Sequence, residues 1–354
     1  MRVFTILLLF LVSLFYGSDK STKNQDFSRV SVTIIHEDSI RVRAIDIYND
    51  TLLGFGYDKG YGFINLNTNE KNIIGFEREN ILSEEENWVS EQRSVGFAGN
   101  SFFTLGVGSP ARLRKVDLKT LEEKIVYTEI HEKVFYDAML FWNEKEGIAM
   151  GDPTDGCLSI IVTRNGGETW NKIPCKYLPK TFEGEAAFAA SNTNIKIIDD
   201  KTWIVSGGKK SRVFYSPDRG KTWDVYDTPI ISETQTTGIY SVDFYDKNKG
   251  VVYGGDYTNP NHNKVNKAIT NDGGRNWELV SDGTGPGYKS CVQYVPNTNG
   301  KSMVVVGFTG ISLSNDSGTS WKKISDESFY TLRFITNNTA IAAGKGKIAK
   351  LVFN

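Results

Sequence analysis

One eight-residue pattern occurs four times from residue 163 onward and limits the chain's possible folds more than any other feature. The copies are Thr163-Arg-Asn165-Gly-Gly167-Glu-Thr-Trp170, Ser216-Pro-Asp218-Arg-Gly220-Lys-Thr-Trp223, Thr270-Asn-Asp272-Gly-Gly274-Arg-Asn-Trp277 and Ser314-Asn-Asp316-Ser-Gly318-Thr-Ser-Trp321. Each reads Ser/Thr-x-Asp/Asn-x-Gly-x-x-Trp. The Asp or Asn oxygen suits acceptance of backbone N–H groups of its own turn. Gly supplies the positive φ that closes a hairpin. Trp then opens the next strand with a large ring to bury. A turn of this kind, repeated at intervals of one small sheet, points to an array of β units.

The spacing identifies the array. Copies start 53 (163 to 216), 54 (216 to 270) and 44 (270 to 314) residues apart, and a propeller blade is a four-stranded sheet of about 40–50 residues. Around the turns, Phe141-Trp-Asn-Glu-Lys-Glu-Gly147-Ile-Ala-Met-Gly151-Asp152 echoes Phe244-Tyr-Asp-Lys-Asn-Lys-Gly250-Val-Val-Tyr-Gly254-Gly255-Asp256. Inner strands are expected at Arg43–Tyr48, Arg93–Ala98, Asp137–Trp142, Glu185–Ala189, Tyr240–Tyr245, Ser290–Val295 and Tyr330–Ile335. The last unit runs out after three strands, while Val30–His36 stands alone before the first. That strand completes the last blade and removes an open edge. The predicted fold is all-β: a seven-bladed β-propeller of four-stranded antiparallel blades, with the N-terminal strand closing the last. The 34 glycines and the 39% hydrophobic content suit many short strands with a real core. A formal net charge of −1 gives no footprint for nucleic acid.

The first residues differ from the rest. Arg2 precedes an apolar run, Val3–Leu14, followed by Phe15-Tyr16-Gly17-Ser18 and a polar stretch. This reads as a signal peptide over 1–18, a linker over 19–28 and a single propeller domain over 29–354, exported to the periplasm or beyond the cell. No later stretch is long and apolar enough to span a membrane. With three cysteines, Cys157, Cys175 and Cys291, a disulfide framework is not expected. Two ordinary thiols at Cys157 and Cys175 are the first reading, and a pair within one blade the second.

In a propeller the starts of the inner strands and the loops between second and third strands gather at one end of the channel, with the four turns on the opposite rim. The expected ligand-binding set is therefore Arg43, Arg93, Asp137, Asp152, Glu183, Glu185, Tyr240, Asp256 and Tyr330, with Ser290, Asp155, Tyr257, Lys209 and Lys210 nearby. The structural alternative is that polar groups at loop starts only cap turns, as Asp152-Pro-Thr-Asp155 suggests. Glu183-Gly-Glu185 is harder to explain so, because it leads into an apolar run. His36, His131 and His262 do not converge, so no metal is expected. No dinucleotide fingerprint or phosphate loop occurs, so no cofactor is expected.

The four turns resemble the Asp box, or BNR repeat, of sialidases and related propellers. The structural box positions are Asn165, Gly167, Trp170, Asp218, Gly220, Trp223, Asp272, Gly274, Trp277, Asp316, Gly318 and Trp321. Tyr136–Trp142, Gly151-Asp-Pro153, Glu183–Ser191, Gly254–Tyr257 and Gly287–Ser290 are similar to a bacterial exported group akin to the photosystem II stability/assembly factor family, labelled WD40/YVTN/BNR-like. That resemblance implies a seven-bladed propeller holding a protein partner through arginines on one face, and only Arg43 and Arg93 match. A sialidase-like glycosidase or lyase is the alternative, with Asp137, Glu185 and Tyr240 as catalytic candidates. It lacks a third central arginine, since Arg164, Arg219 and Arg275 lie in or beside the turns. The expectation is an exported, monomeric, non-catalytic binding or assembly propeller taking a protein or glycan at the channel mouth. Trp223→Ala is expected to empty a buried aromatic site and cost several kcal/mol.

Overall fold

The computed structural model describes residues 26–75 and 90–354. The expected signal peptide, residues 1–18, lies outside the described residues, as does most of the linker. The described chain is all-β, with one 3₁₀ turn at Cys175–Tyr177 and no α-helix. Its strands form antiparallel sheets, several of them four-stranded in sequential order. Gln92–Ala98, Ser101–Gly106, Ala111–Asp117 and Glu123–Glu129 make one, and Cys291–Tyr294, Met303–Gly307, Gly310–Ser314 and Lys322–Ser325 another. The middle strands are largely buried, wholly so at Met303–Gly307, because each sheet is covered on both faces by its neighbours. The outermost strands, such as Glu123–Glu129, carry the polar residues.

The core lies between consecutive sheets. Phe103 of one packs 4.8 Å from Phe141 of the next, and Trp170 meets both rings edge-on. Such aromatic pairs add to the burial of their large areas.

The N-terminal strand Val30–Tyr48 serves two sheets. Its first part pairs with Lys345–Phe353, from Val30 opposite Phe353 to Arg41 opposite Lys345, and its second part pairs with Leu52–Tyr57. The strand expected over Val30–His36 thus joins the two ends of the chain.

One expected inner strand is misplaced. Glu185–Ala189 was read as the inner strand of its unit, yet that position belongs to Ile195–Ile198, which pairs with Lys201–Val205. Only Glu185–Ala186 is extended, against Gly207–Gly208. The segment between them crosses the channel and bonds through its side chains. Asn192 accepts from the Met139 N–H and donates to the Val95 carbonyl, and Ser191 donates to the Ser290 carbonyl. Thr193 donates to Ser241 Oγ. Buried backbone and side-chain groups must find partners, and here they find them across the axis.

The four repeated turns share one geometry. The Ser or Thr hydroxyl donates to the Asp or Asn oxygen at 3.1, 2.9, 2.8 and 2.8 Å in chain order. The same hydroxyl accepts from the Gly N–H at 3.0, 2.7, 3.0 and 2.9 Å. The Asp or Asn oxygen accepts from the N–H four residues on in each. The Gly residues lie at φ between +74° and +88°, which explains why Gly recurs. The Trp residues differ from expectation: Trp170 and Trp277 are buried, whereas Trp223 and Trp321 are only partly so. The largest wholly buried ring is Trp203, which lies outside the repeat and stacks 3.9 Å from Phe244. Cys157 and Cys175 are joined in a disulfide rather than left as thiols, and Cys291 is free and buried. The 3₁₀ turn at Cys175–Tyr177 returns the chain to the loop after Gly147–Pro153, which brings the two sulfurs together.

Candidate functional site at the channel mouth

The crossing segment divides the channel. On the side where inner strands begin, a cavity of about 440 Å³ is floored by Ala187–Ala190 and walled by Arg43, Arg93, Tyr240, Tyr288 and Tyr330, with Phe308 and Tyr257 at its rim. Beyond the segment lies a second cavity of about 600 Å³, lined by Asn192, Thr193, Asp243 and Arg333. The charged groups of this second cavity are engaged in holding the sheets: Asp243 accepts from the Tyr294 N–H and pairs with Lys196, and Arg333 donates to the Asn192 carbonyl.

The first cavity is aromatic and carries two guanidinium groups. Phe188 stacks on Tyr240 with centroids 3.9 Å apart, and Tyr288 meets Tyr240 edge-on at 4.7 Å. Tyr257 and Phe308 remain about half-exposed at the rim, at 47% and 42%. Arg43 places its guanidinium 4.1 Å over the Tyr330 ring. It makes no ion pair among the described residues, and burial, then the nearby Arg93 charge, lower its affinity for its proton. Arg93 is bound to Glu91, which also receives Arg41. Arg43 is therefore the cation left for a ligand.

The expected site residues divide in two. Arg43, Arg93, Tyr240 and Tyr330 line the cavity. Asp137 and Asp152 sit together behind its wall. Asp137 is wholly buried, neither oxygen has a hydrogen-bond partner, and burial followed by the charge of Asp152 holds its carboxyl well above the usual range, with Arg93 opposing. Asp152 is pushed up to about 6 by burial, while it accepts from the Ala187 N–H at 2.7 Å. That bond fixes the start of the crossing segment.

The remaining acids have other duties. Glu185 is buried against Arg212, with Nε 2.9 Å from Oε1 and Nη2 2.6 Å from Oε2, and also accepts from Ser206 Oγ and the Phe182 N–H. Every lone pair it has is in use, so it supports the floor without lining it. Glu183 is exposed away from the cavity. Asp256 accepts from the N–H and hydroxyl of Thr258 and caps its own turn. The Tyr240 hydroxyl donates to the Thr236 carbonyl at 2.7 Å, and burial raises its pKa. Asp137, Glu185 and Tyr240 thus converge on no common point. Phe135, Phe188, Tyr288 and Phe308 were not anticipated as lining residues. The one legible signal is position for Phe135, Tyr288 and Phe308, which stand just before an inner strand or in a second-to-third-strand loop, whereas Phe188 belongs to the crossing segment.

Four-stranded antiparallel sheets packed face to face around a channel, with a cavity at one end, define a β-propeller. Solved structures with this fold include "YCF48 bound to D1 peptide" (TM-score 0.63, 12% identity, covering 93% of this chain and 98% of that one). "Structure of U3-55K" follows at TM-score 0.64 and 9% identity, covering 92% and 98%. "YCF48 from Cyanidioschyzon merolae" matches at 0.59 and 12%, covering 92% and 99%. No family model matches the chain, and no curated protein matches it. At these identities the likeness establishes the fold.

Proposed function

We propose that this protein is an exported, monomeric, non-catalytic propeller of one domain and seven blades, the strand Val30–Tyr48 counting in both the first and the last. It captures a segment of a partner protein at the channel mouth. The observation that carries the reading is Arg43, a guanidinium with no ion-pair partner among the described residues, held over Tyr330 in an aromatic cavity. Aromatic and Arg side chains with exposed rims are the usual anchors of protein recognition. A peptide bound to one propeller of this fold, in the structure of YCF48 with a D1 peptide, supports the same use here. The commitment of Glu185 to Arg212 weighs against a glycosidase built on Asp137, Glu185 and Tyr240. The Cys157–Cys175 disulfide supports export to an oxidising, envelope-like compartment, where such bonds persist. The four turns, with their shared hydroxyl–carboxylate–glycine bonding, support reading them as Asp boxes.

The test is affinity capture from an envelope extract with the wild-type chain and an Arg43→Ala variant of equal thermal stability. A protein retained by the first and lost by the second is the expected result. Identical retention by both defeats the reading, and a glycan array then becomes the relevant screen.

A further inference from the structure

Outside the mouth, a second pocket gathers positive charge. It encloses about 350 Å³ and is lined by Asn261, Lys289, Thr309, Ser312, Trp321 and Lys323, with Pro260 and Gly285–Gly287 closing one side. No carboxylate lines it. The pocket shares a wall with the mouth: Tyr288 and Phe308 face the mouth, while the next residues, Lys289 and Thr309, face the pocket.

Lys289 is the unusual member. Its side chain is 1% exposed, and its Nζ donates to Thr309 Oγ1 at 2.9 Å and to the Gly310 carbonyl at 2.6 Å. An ammonium has three N–H donors, so one remains. Among the described residues Lys289 has no acidic partner, and a buried charge without one is costly. Lys323 reaches the same place. A Cβ added at Gly310 would lie 3.0 Å from Lys323 Cε, and the Gly310 carbonyl accepts from Lys289 Nζ, so both side chains reach this residue. Burial, and then the charge of Lys323, push the Lys289 ammonium down to about 8. The Lys323 ammonium forms an ion pair with the exposed Asp326, which lies outside the pocket lining.

The buried Lys289 ammonium, with no counter-charge among the described residues and the Lys323 charge in the same pocket lining, destabilises the empty arrangement. An anion between them reverses the sign of that term. The polar lining supplies further hydrogen-bonding groups in Asn261, Thr309 and Ser312, and the Trp321 ring offers a flat apolar surface of the kind on which a carbon skeleton packs. The wall opposite is anchored, because the Pro286 carbonyl accepts from the Tyr253 hydroxyl and from Asn266 Nδ2.

We propose that this pocket binds a small oxyanion, held by Lys289 and Lys323 and backed by Trp321. The anionic group comes from an acidic sugar or from free inorganic phosphate, and the two are separated by experiment. The site is independent of the mouth, so its failure leaves the peptide reading standing.

Calorimetric titration of the full chain with glucuronate, methyl glucoside and inorganic phosphate tests it. Saturable binding of glucuronate or phosphate is expected, with at least about tenfold loss in Lys289→Met and no change in Arg43→Ala. The methionine replaces a buried cation by an apolar chain of similar length, and loss of binding counts only with an unchanged melting temperature; Lys323→Met, at the exposed end of the pocket, should weaken binding as well. Tighter glucuronate assigns an acidic sugar, and tighter phosphate assigns the free ion. Absence of saturable binding below about 10 mM, equal affinity in Lys289→Met, or equal affinity for uncharged methyl glucoside overturns the proposal.

Discussion

Asp137 shows how much a single residue's role depends on its neighbours. In the sequence it is an acid at a strand start, equally suited to binding, catalysis or capping. In the fold it is wholly buried beside Asp152, with no hydrogen-bond partner for its oxygens among the described residues. Its folded carboxyl keeps its proton well above the range in which an unfolded aspartate, at about 3.9, releases it. Between those values the native state holds the extra proton, so stability falls as pH rises. Asp152, with a folded value of about 6, adds the same slope from about pH 4 to pH 6. Asp137→Asn carries no charge at any pH. Its melting temperature should exceed that of the wild type at pH 7.5, with the difference shrinking toward pH 4. A difference that does not change with pH would show that Asp137 is not the titrating group. Glu185 makes the complementary case: it is also a buried acid, yet both its oxygens are paired with Arg212. Nothing in the sequence distinguishes the two, because the partner that decides each lies far along the chain.

At the scale of elements, the repeated turn behaves largely as its residue types require. Hydroxyl, carboxylate and glycine bond to one another within eight residues, so the geometry is local and legible in sequence. The Trp at its end is another matter, since its burial depends on the adjacent sheet. Trp277→Ala should cost about 3–5 kcal/mol in urea denaturation, as a buried aromatic does. Trp223→Ala should cost clearly less, because its ring is only partly covered. Equal losses would mean that exposure does not set the contribution of these rings. The crossing segment Ala187–Asn194 was legible only in part. Its Ala-Phe-Ala-Ala half has the apolar character of an inner strand, yet Ser191-Asn-Thr-Asn194 satisfies its polar groups across the channel instead of along a ladder. A polar run inside an apparent inner strand is the signal that argues for such a crossing.

For the molecule as a whole, closure rests on the N-terminal strand, which pairs with the last strand and with the second. Its first part, from Val30 to Arg41, bonds to the C-terminal strand over nearly all of Lys345–Phe353. Removing residues up to 40 leaves that strand as an open edge and uncovers Phe353 and Phe329 in the core they share with Phe27. The truncated chain should melt roughly 10 °C or more below the full one, by scanning calorimetry. An unchanged melting temperature would show that closure contributes little. The truncation leaves Arg43 in place, so it separates closure from ligand capture.

By itself, the sequence determined what depends on short range. The turn repeat, its spacing and the alternation of strands specify an all-β array of sheets, and the odd strand at the start specifies how the ends meet. It also marked the end of the channel where a cavity lies, through Arg43, Arg93, Tyr240 and Tyr330. Only the tertiary structure decided which acids are free and which are consumed, that Cys157 and Cys175 pair, and that Lys289 and Lys323 line one pocket beside Gly310. The physical reason is the same each time. A charge, a thiol or a ring takes its role from groups that approach it through space, and the separations involved, 18 residues for the disulfide, 27 for Glu185 and Arg212 and 34 (289 to 323) for the two lysines, exceed any local pattern.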